Sequence, residues 1–232
     1  MRLVEIHAEL PAVAVKVEGL PKDAASALGK ATLNDRSPVR RIQGSEGQNV
    51  RFRQFARQVD AALRPVLSGR ETPLILAATG RLASVYRAVN SYPNLLPDGI
   101  EDSPDRISDA DLAEAARPVL DAAHAAELAA LKALYEAYAG DGRATCNLSD
   151  AARAATYGAI ETLLVDMDAV VPGTVDDQSG EITFAETADA NNYGVVDEIA
   201  SRALATGARI LSVRKADLPG SGDLAAILRY GV

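Results

Sequence analysis

Seven residues, Pro73-Leu-Ile-Leu-Ala-Ala-Thr79, form a short and almost wholly apolar run. Such a run marks a strand covered on both faces, and a strand of that kind requires helices above and below its sheet. Gly80 supplies a turn, after which Arg81 to Tyr92 sets Leu82, Val85, Tyr86 and Val89 at the three- and four-residue spacing of one helical face. The first half of the chain is therefore built as an α/β unit.

Upstream, residues 3 to 8 and 12 to 18 alternate as two strands joined around Glu9-Leu10-Pro11, a β-hairpin. No periodicity holds from Gly19 to Asn49, where Pro21, Gly29, Pro38, Gly44 and Gly47 stand among polar residues, and a loop is expected. It ends in Gly47-Gln48 and passes into a helix from about Val50. In that helix Phe52, Phe55, Ala56, Val59, Ala62 and Leu63 fall on one face, and Arg53, Arg57 and Arg64 fall on another. Between Arg36 and Arg64 the only acids are Glu46 and Asp60. Arg40, Arg41, Arg51, Arg53 and Arg57 are the candidate phosphate-binding residues, because a guanidinium is a planar donor fork that stays charged at any ordinary pH. The alternative is a solvated helix face beside a surface loop. The helix N-terminus could itself attract an anion.

Pro93 to Arg106 is rich in Pro and Asp and reads as a connector, dividing the chain into residues 1–106 and 107–232. Ser108 can cap an Ala- and Leu-rich helix reaching Ala139, with Pro118 expected to kink or split it. The rest alternates. A capped helix over Asp150 to Tyr157 is followed by a strand over Ala159 to Val165. An acidic loop from Asp176 to Asn192 carries one short strand at Ile182 to Phe184, and a helix spans Val195 to Ala205. Strands at Ala208 to Val213 and Ala225 to Tyr230 close the chain, with Gly220-Ser221-Gly222 read as a hairpin turn between them. This alternation predicts a second α/β layer structure.

Composition narrows the chemistry. Cys146 is the single cysteine, and His7 and His124 are the only histidines, so the sequence offers no disulfide, no cysteine-based metal cluster and little basis for a Ser-His-Asp arrangement. No metal site or cofactor is expected. The acidic-loop carboxylates Asp176, Asp177, Glu181 and Glu186 lack calcium-loop spacing. A formal charge of −8 means that bulk electrostatics will not draw the chain to RNA or an anionic membrane, and any such contact must be local. With no apolar run long enough to span a bilayer and no basic-then-apolar leader, a soluble cytoplasmic protein without membrane contact is expected.

Three stretches in order carry a resemblance: the Gly47-Gln48 segment feeding the Arg- and Phe-bearing helix, the Gly158 to Val165 strand, and the Ala226 to Tyr230 strand after a Gly-rich turn. Together they resemble the middle and C-terminal domains of class I translation termination factors and their pelota-like relatives, and most nearly the bacterial branch of that family, the archaeo-eukaryotic-release-factor-like proteins. The resemblance implies two small α/β domains, an RNase-H-like middle domain and a C-terminal α/β/α sandwich like that of kink-turn-binding ribosomal proteins. It also implies that the N-terminal codon-reading domain and the first strand of the middle domain have no counterpart here.

In the termination factors a Gly-Gly-Gln loop directs hydrolysis of the peptidyl-tRNA ester. Gly47 and Gln48 match it, but Glu46 stands where the first glycine should be. A residue with a Cβ adopts that glycine's backbone angles only at a cost, and a carboxylate there would be repelled by RNA phosphates. The resemblance therefore implies a release-factor-like protein bound to ribosomes or tRNA, without catalysis, in rescue, stress or dormancy. It also implies a protein partner for the acidic C-terminal domain. Two alternatives stand beside it: a hydrolase acting through the degenerate Gly47-Gln48 loop, and a structural module that self-associates through the Ala-rich helix.

Overall fold

A computed structural model describes residues 1–7, 10–23, 45–101, 104, 107–187, 192 and 194–231. The chain divides into two compact units, Met1–Ala123 and His124–Val232. The division falls inside a helix rather than in the Pro- and Asp-rich connector.

In the first unit β1 (Leu3–Glu5) and β2 (Val13–Val15) pair antiparallel with Leu3 opposite Val15, the expected hairpin. Helix α1 runs Ser45–Leu67, and β3 (Leu74–Ala77) leads through α2 (Gly80–Arg87) to β4 (Leu95–Ile100). β3 and β4 are parallel neighbours in a two-stranded sheet of their own. β4 lies where a connector was expected, because Pro97, Asp98 and Gly99 disguise it. The β3–β4 register shifts between Leu74 and Leu76, and a Cβ on Gly99 would stand 2.4 Å from the Leu76 carbonyl oxygen, so only glycine allows the strands to close there.

These strands form one layer between helices. Leu3, Leu74, Leu76 and Leu95 pack with Phe55, Ala56, Val59 and Leu63 of α1 and with Tyr86 of α2. Val4, Ile6, Ile75, Ala77 and Ile100 pack instead with Leu112 and Ala116 of α3 (Asp109–Ala139). Consecutive residues thus go to opposite faces, as strand pleating demands. Ser108 caps α3 by accepting the Asp111 N–H at 3.1 Å. Pro118 does not split the helix, since strong helix formers on both sides offset the bond it removes.

The second unit is a four-stranded sheet in the order β5-β10-β6-β9, formed by β5 (Ala144–Thr145), β6 (Ile160–Asp166), β9 (Arg209–Val213) and β10 (Leu224–Leu228). β6 and β9 are parallel, and β10 runs antiparallel to β5 and β6. The Gly220-Ser221-Gly222 segment is therefore not a hairpin between adjacent strands: it carries the chain past β6 to the far side of the sheet. A pairing of the last two strands was the simplest local reading, but burial of β10 on both faces favours the interior of the sheet.

Helices α4 (Leu148–Thr156) and α5 (Val195–Ala205) cover one face through Ala151, Ala155, Val195 and Ile199, which meet Ile160, Leu163, Leu224 and Ala226. Leu128, Leu131 and Tyr135 of α3 cover the other, against Leu164, Val213 and Ala225. This is an α/β/α sandwich. Asn147 caps α4 by accepting the Ser149 and Asp150 N–H groups at 2.9 and 3.2 Å. At the start of the expected acidic loop, residues 176–181 form the turn of a hairpin between β7 (Gly173–Val175) and β8 (Ile182–Phe184), with β8 where a strand was expected. Arg202, from α5, donates to the Val175 and Asp176 carbonyls, to Thr156 and to the carboxylates of Asp177 and Glu198, tying this hairpin to both helices.

Candidate nucleic-acid interface

Helix α1 separates its residue types as its periodicity requires. Phe55, Ala56, Val59, Leu63 and Leu67 are buried, Phe52 and Ala62 half-buried, and Arg53, Arg57 and Arg64 exposed. The helix begins at Ser45, earlier than the expected Val50, so the backbone of Gly47 and Gln48 is helical rather than part of a loop. Nothing between Ser45 and Leu63 breaks a helix except one glycine, and Glu and Gln are good formers.

Arg53 and Arg57 lie one turn apart and form no hydrogen bond or ion pair with other described residues. Arg64 shares their stripe but donates to the Asp60 carboxylate at 2.8 Å. Arg51 is half-buried and sits about 200° around the helix from Arg53, so it does not extend the stripe. Arg40 and Arg41 lie outside the described residues. Of the three described arginines expected on one surface, Arg53 and Arg57 share a stripe and Arg51 does not.

Asp60 is the acid that neutralises Arg64, and it is buried. Burial alone would raise its pKa; the Ser91 N–H and hydroxyl, at 2.8 and 2.9 Å, together with Arg64, outweigh this and hold the carboxyl below its usual range. Nearby, burial and the Asp60 charge push the Tyr86 hydroxyl up to about 12. Asp60 therefore stays ionised while turned away from solvent, which leaves the exposed side of α1 without a competing anion after Asn49.

Arg81 joins this end of the site although no sequence pattern singles it out. Its Nε and Nη2 donate to the Asn49 side chain at 3.0 and 2.7 Å, and its guanidinium carbon lies 5.7 Å from the centre of the Phe52 ring. It belongs to the first turn of α2, and nothing local links it to α1 across 32 residues.

Residues 1–126 match the family described as bacterial archaeo-eukaryotic release factor family 11. The chain belongs to that family. The matched region includes α1 and the whole first unit of this release-factor-family chain. A search of curated proteins finds no match. Among solved structures, it is similar to a chain of the ribosome-bound archaeal Pelota and ABCE1 assembly, with 21% identity and a TM-score of 0.48 over 82% of this chain and 51% of that one. Pelota of Archaeoglobus fulgidus shows 22% identity and a TM-score of 0.34 over 77% of this chain and 54% of that one. The C-terminal domain of the peptide chain release factor from Methanosarcina mazei shows 18% identity and a TM-score of 0.37 over 55% of this chain and 98% of that one. The chain spans about half the length of the Pelota chains.

Among the described residues no group of three or more His, Cys, Asp or Glu side chains could hold a metal ion, and no helix is long and apolar enough to cross a membrane.

Proposed function

We propose that this member of a bacterial release-factor family is a translation-related protein of the cytoplasm that contacts ribosomal or transfer RNA through Arg53 and Arg57 of α1. The observation that carries the reading is that these two guanidinium groups are exposed one turn apart on a helix whose opposite face is buried and whose one acid beyond Asn49, Asp60, is turned inward. Each is available for bidentate contact with a phosphate. The contact is a positioning one: it recognises backbone charge and carries no sequence information. The role is non-catalytic, in rescue, stress or dormancy, because Glu46 replaces a required glycine and the Gly47-Gln48 backbone is helical.

The second unit suits a different partner. Residues 124–232 hold sixteen Asp and Glu against eight Lys and Arg, so the whole −8 of the chain resides there. RNA phosphates would repel it, which leaves it to a protein. The test is co-sedimentation with bacterial ribosomes across a salt series, beside Arg53→Glu/Arg57→Glu. Binding that falls with salt and vanishes in the double variant is the expected result; binding unchanged by the reversal overturns the proposal.

A further inference from the structure

Arg81 is exposed, yet its side chain is held from two directions. Its Nε and Nη2 groups both donate to the Oδ1 atom of Asn49, at 3.0 and 2.7 Å, and its guanidinium carbon lies over the Phe52 ring. Two bonds from a rigid fork to one acceptor fix the plane of the group as well as its position. Nε and Nη2 are also the donors with which an arginine grips a phosphate side-on. In Arg81 that pair is engaged by a neutral amide, so the side of the guanidinium away from Phe52 is what it presents to a ligand.

The packing of the first unit sets this group at one end of the arginine stripe. Leu82 and Val85 of α2 pack with Phe55, Ala56 and Val59 of α1, which brings the start of α2 beside Asn49 and Phe52. The first turn of α2 contains no acid to repel an approaching RNA strand. Asn49, Arg53 and Arg57 follow one another at four-residue steps, each about 40° around α1 and about 6 Å along it from the last. Arg81, fastened to Asn49, therefore stands at the N-terminal end of the line that carries Arg53 and Arg57. An ordered plane is followed by two exposed forks.

We infer that Arg81, backed by Phe52, is a stacking platform for an unpaired nucleobase of the RNA whose phosphates Arg53 and Arg57 hold; the inference rests on that reading of α1. A base inside a duplex has its faces covered by its neighbours, so only an unstacked base can lie on a guanidinium plane. The occupant is thus a single-stranded end, loop or bulge. Stacking selects no base identity, because every base has a π-face. The platform is ordered before the RNA arrives, so little side-chain freedom is lost on binding.

The test uses the full chain and two RNA probes, a short single strand carrying 2-aminopurine and the same backbone with abasic spacers in place of its bases, which keeps every phosphate. The abasic strand should bind at least about fivefold more weakly, the smallest loss that one stacked base entails, and 2-aminopurine fluorescence should be quenched on binding. Arg81→Lys, which keeps the charge and loses the plane, should bring the base-bearing strand down to the abasic affinity and leave the salt dependence unchanged. Phe52→Leu should act in the same direction with apolar packing retained. Arg53→Glu/Arg57→Glu should weaken both strands alike. The inference is overturned if the base-bearing strand does not bind at low salt, or if Arg81→Lys weakens both strands together, the mark of a tether between helices or of a further phosphate contact. Equal binding of the two strands that the double reversal still abolishes would remove the platform and leave the phosphate reading standing. Base-dependent binding indifferent to the double reversal would overturn that reading and the shared site with it.

Discussion

The two units solve the same packing problem with different thoroughness. In the second, Ile160, Leu163, Leu224 and Ile227 are 0% exposed, and alanines at 151, 152, 154 and 155 let α4 lie close against the sheet. In the first, all of β3 is only half-buried, two sheets of two strands stand where the second unit has one of four, and an apolar cavity lies between their edges. Charge divides the same way: the second unit carries the acidity, while the first balances its charges and exposes Arg53 and Arg57 on one stripe of α1. The second unit is therefore the more fully packed of the two, and the first carries the exposed arginines of the proposed interface.

Core truncation should separate the units most. Leu163→Ala removes a fully buried side chain from β6 and should cost about 3 kcal/mol. Leu76→Ala removes a half-buried one from β3 and should cost about 1 kcal/mol. Hydrogen exchange followed separately in each unit reads both, since a chain of two units need not unfold in one step. Equal losses of stability would contradict the comparison.

Two glycines sharpen it further. Gly180 and Gly69 have nearly the same left-handed backbone, φ of 72° and 73°. A Cβ on Gly180 would meet the Arg153 Cα at 2.8 Å, whereas one on Gly69 meets nothing within 4 Å. Gly69→Ala should cost only the backbone strain, about 1 kcal/mol, and Gly180→Ala about twice that, as thermal denaturation of the two variants will show.

Acid provides the smallest and most selective probe. The Asp60 pKa is lowered in the folded state, so its contribution is present above the ordinary carboxylate value and disappears as pH falls through the lower folded one. Asp176, in the hairpin turn of the second unit, is also lowered, chiefly by Ser179, but it is fully open to solvent and screening leaves it little weight. On acidification below about pH 4 the first unit should loosen before the second, and Asp60→Asn should flatten that dependence. Parallel loosening of both units, or a profile indifferent to Asp60→Asn, would show that the network around Ser91 is not what holds α1 against α2.

Legibility followed the same division. Helix α5 and strand β8 stand where the spacing of their apolar residues placed them, because local pattern and tertiary burial agree there. β4 was hidden by Pro97, Asp98 and Gly99, residues that announce a turn unless a partner strand accommodates them. Sequence neighbours pair by default, which would set β10 beside β9, while its place beside β6 depends on which position buries both of its faces. At the candidate interface, the Arg53–Arg57 stripe follows from helical period alone. Arg81 does not, since its hydrogen bonds to Asn49 exist only once α1 and α2 are packed.

The central claim, that Arg53 and Arg57 each hold a phosphate, is tested most directly by the salt dependence of ribosome binding. Removing one arginine–phosphate pair should lower the slope of log affinity against log salt by about one. Arg53→Gln/Arg57→Gln should therefore reduce the slope by about two, with Arg153→Gln of the second unit leaving it unchanged. A slope unaltered in the double variant would contradict the account and remove α1 from the interface.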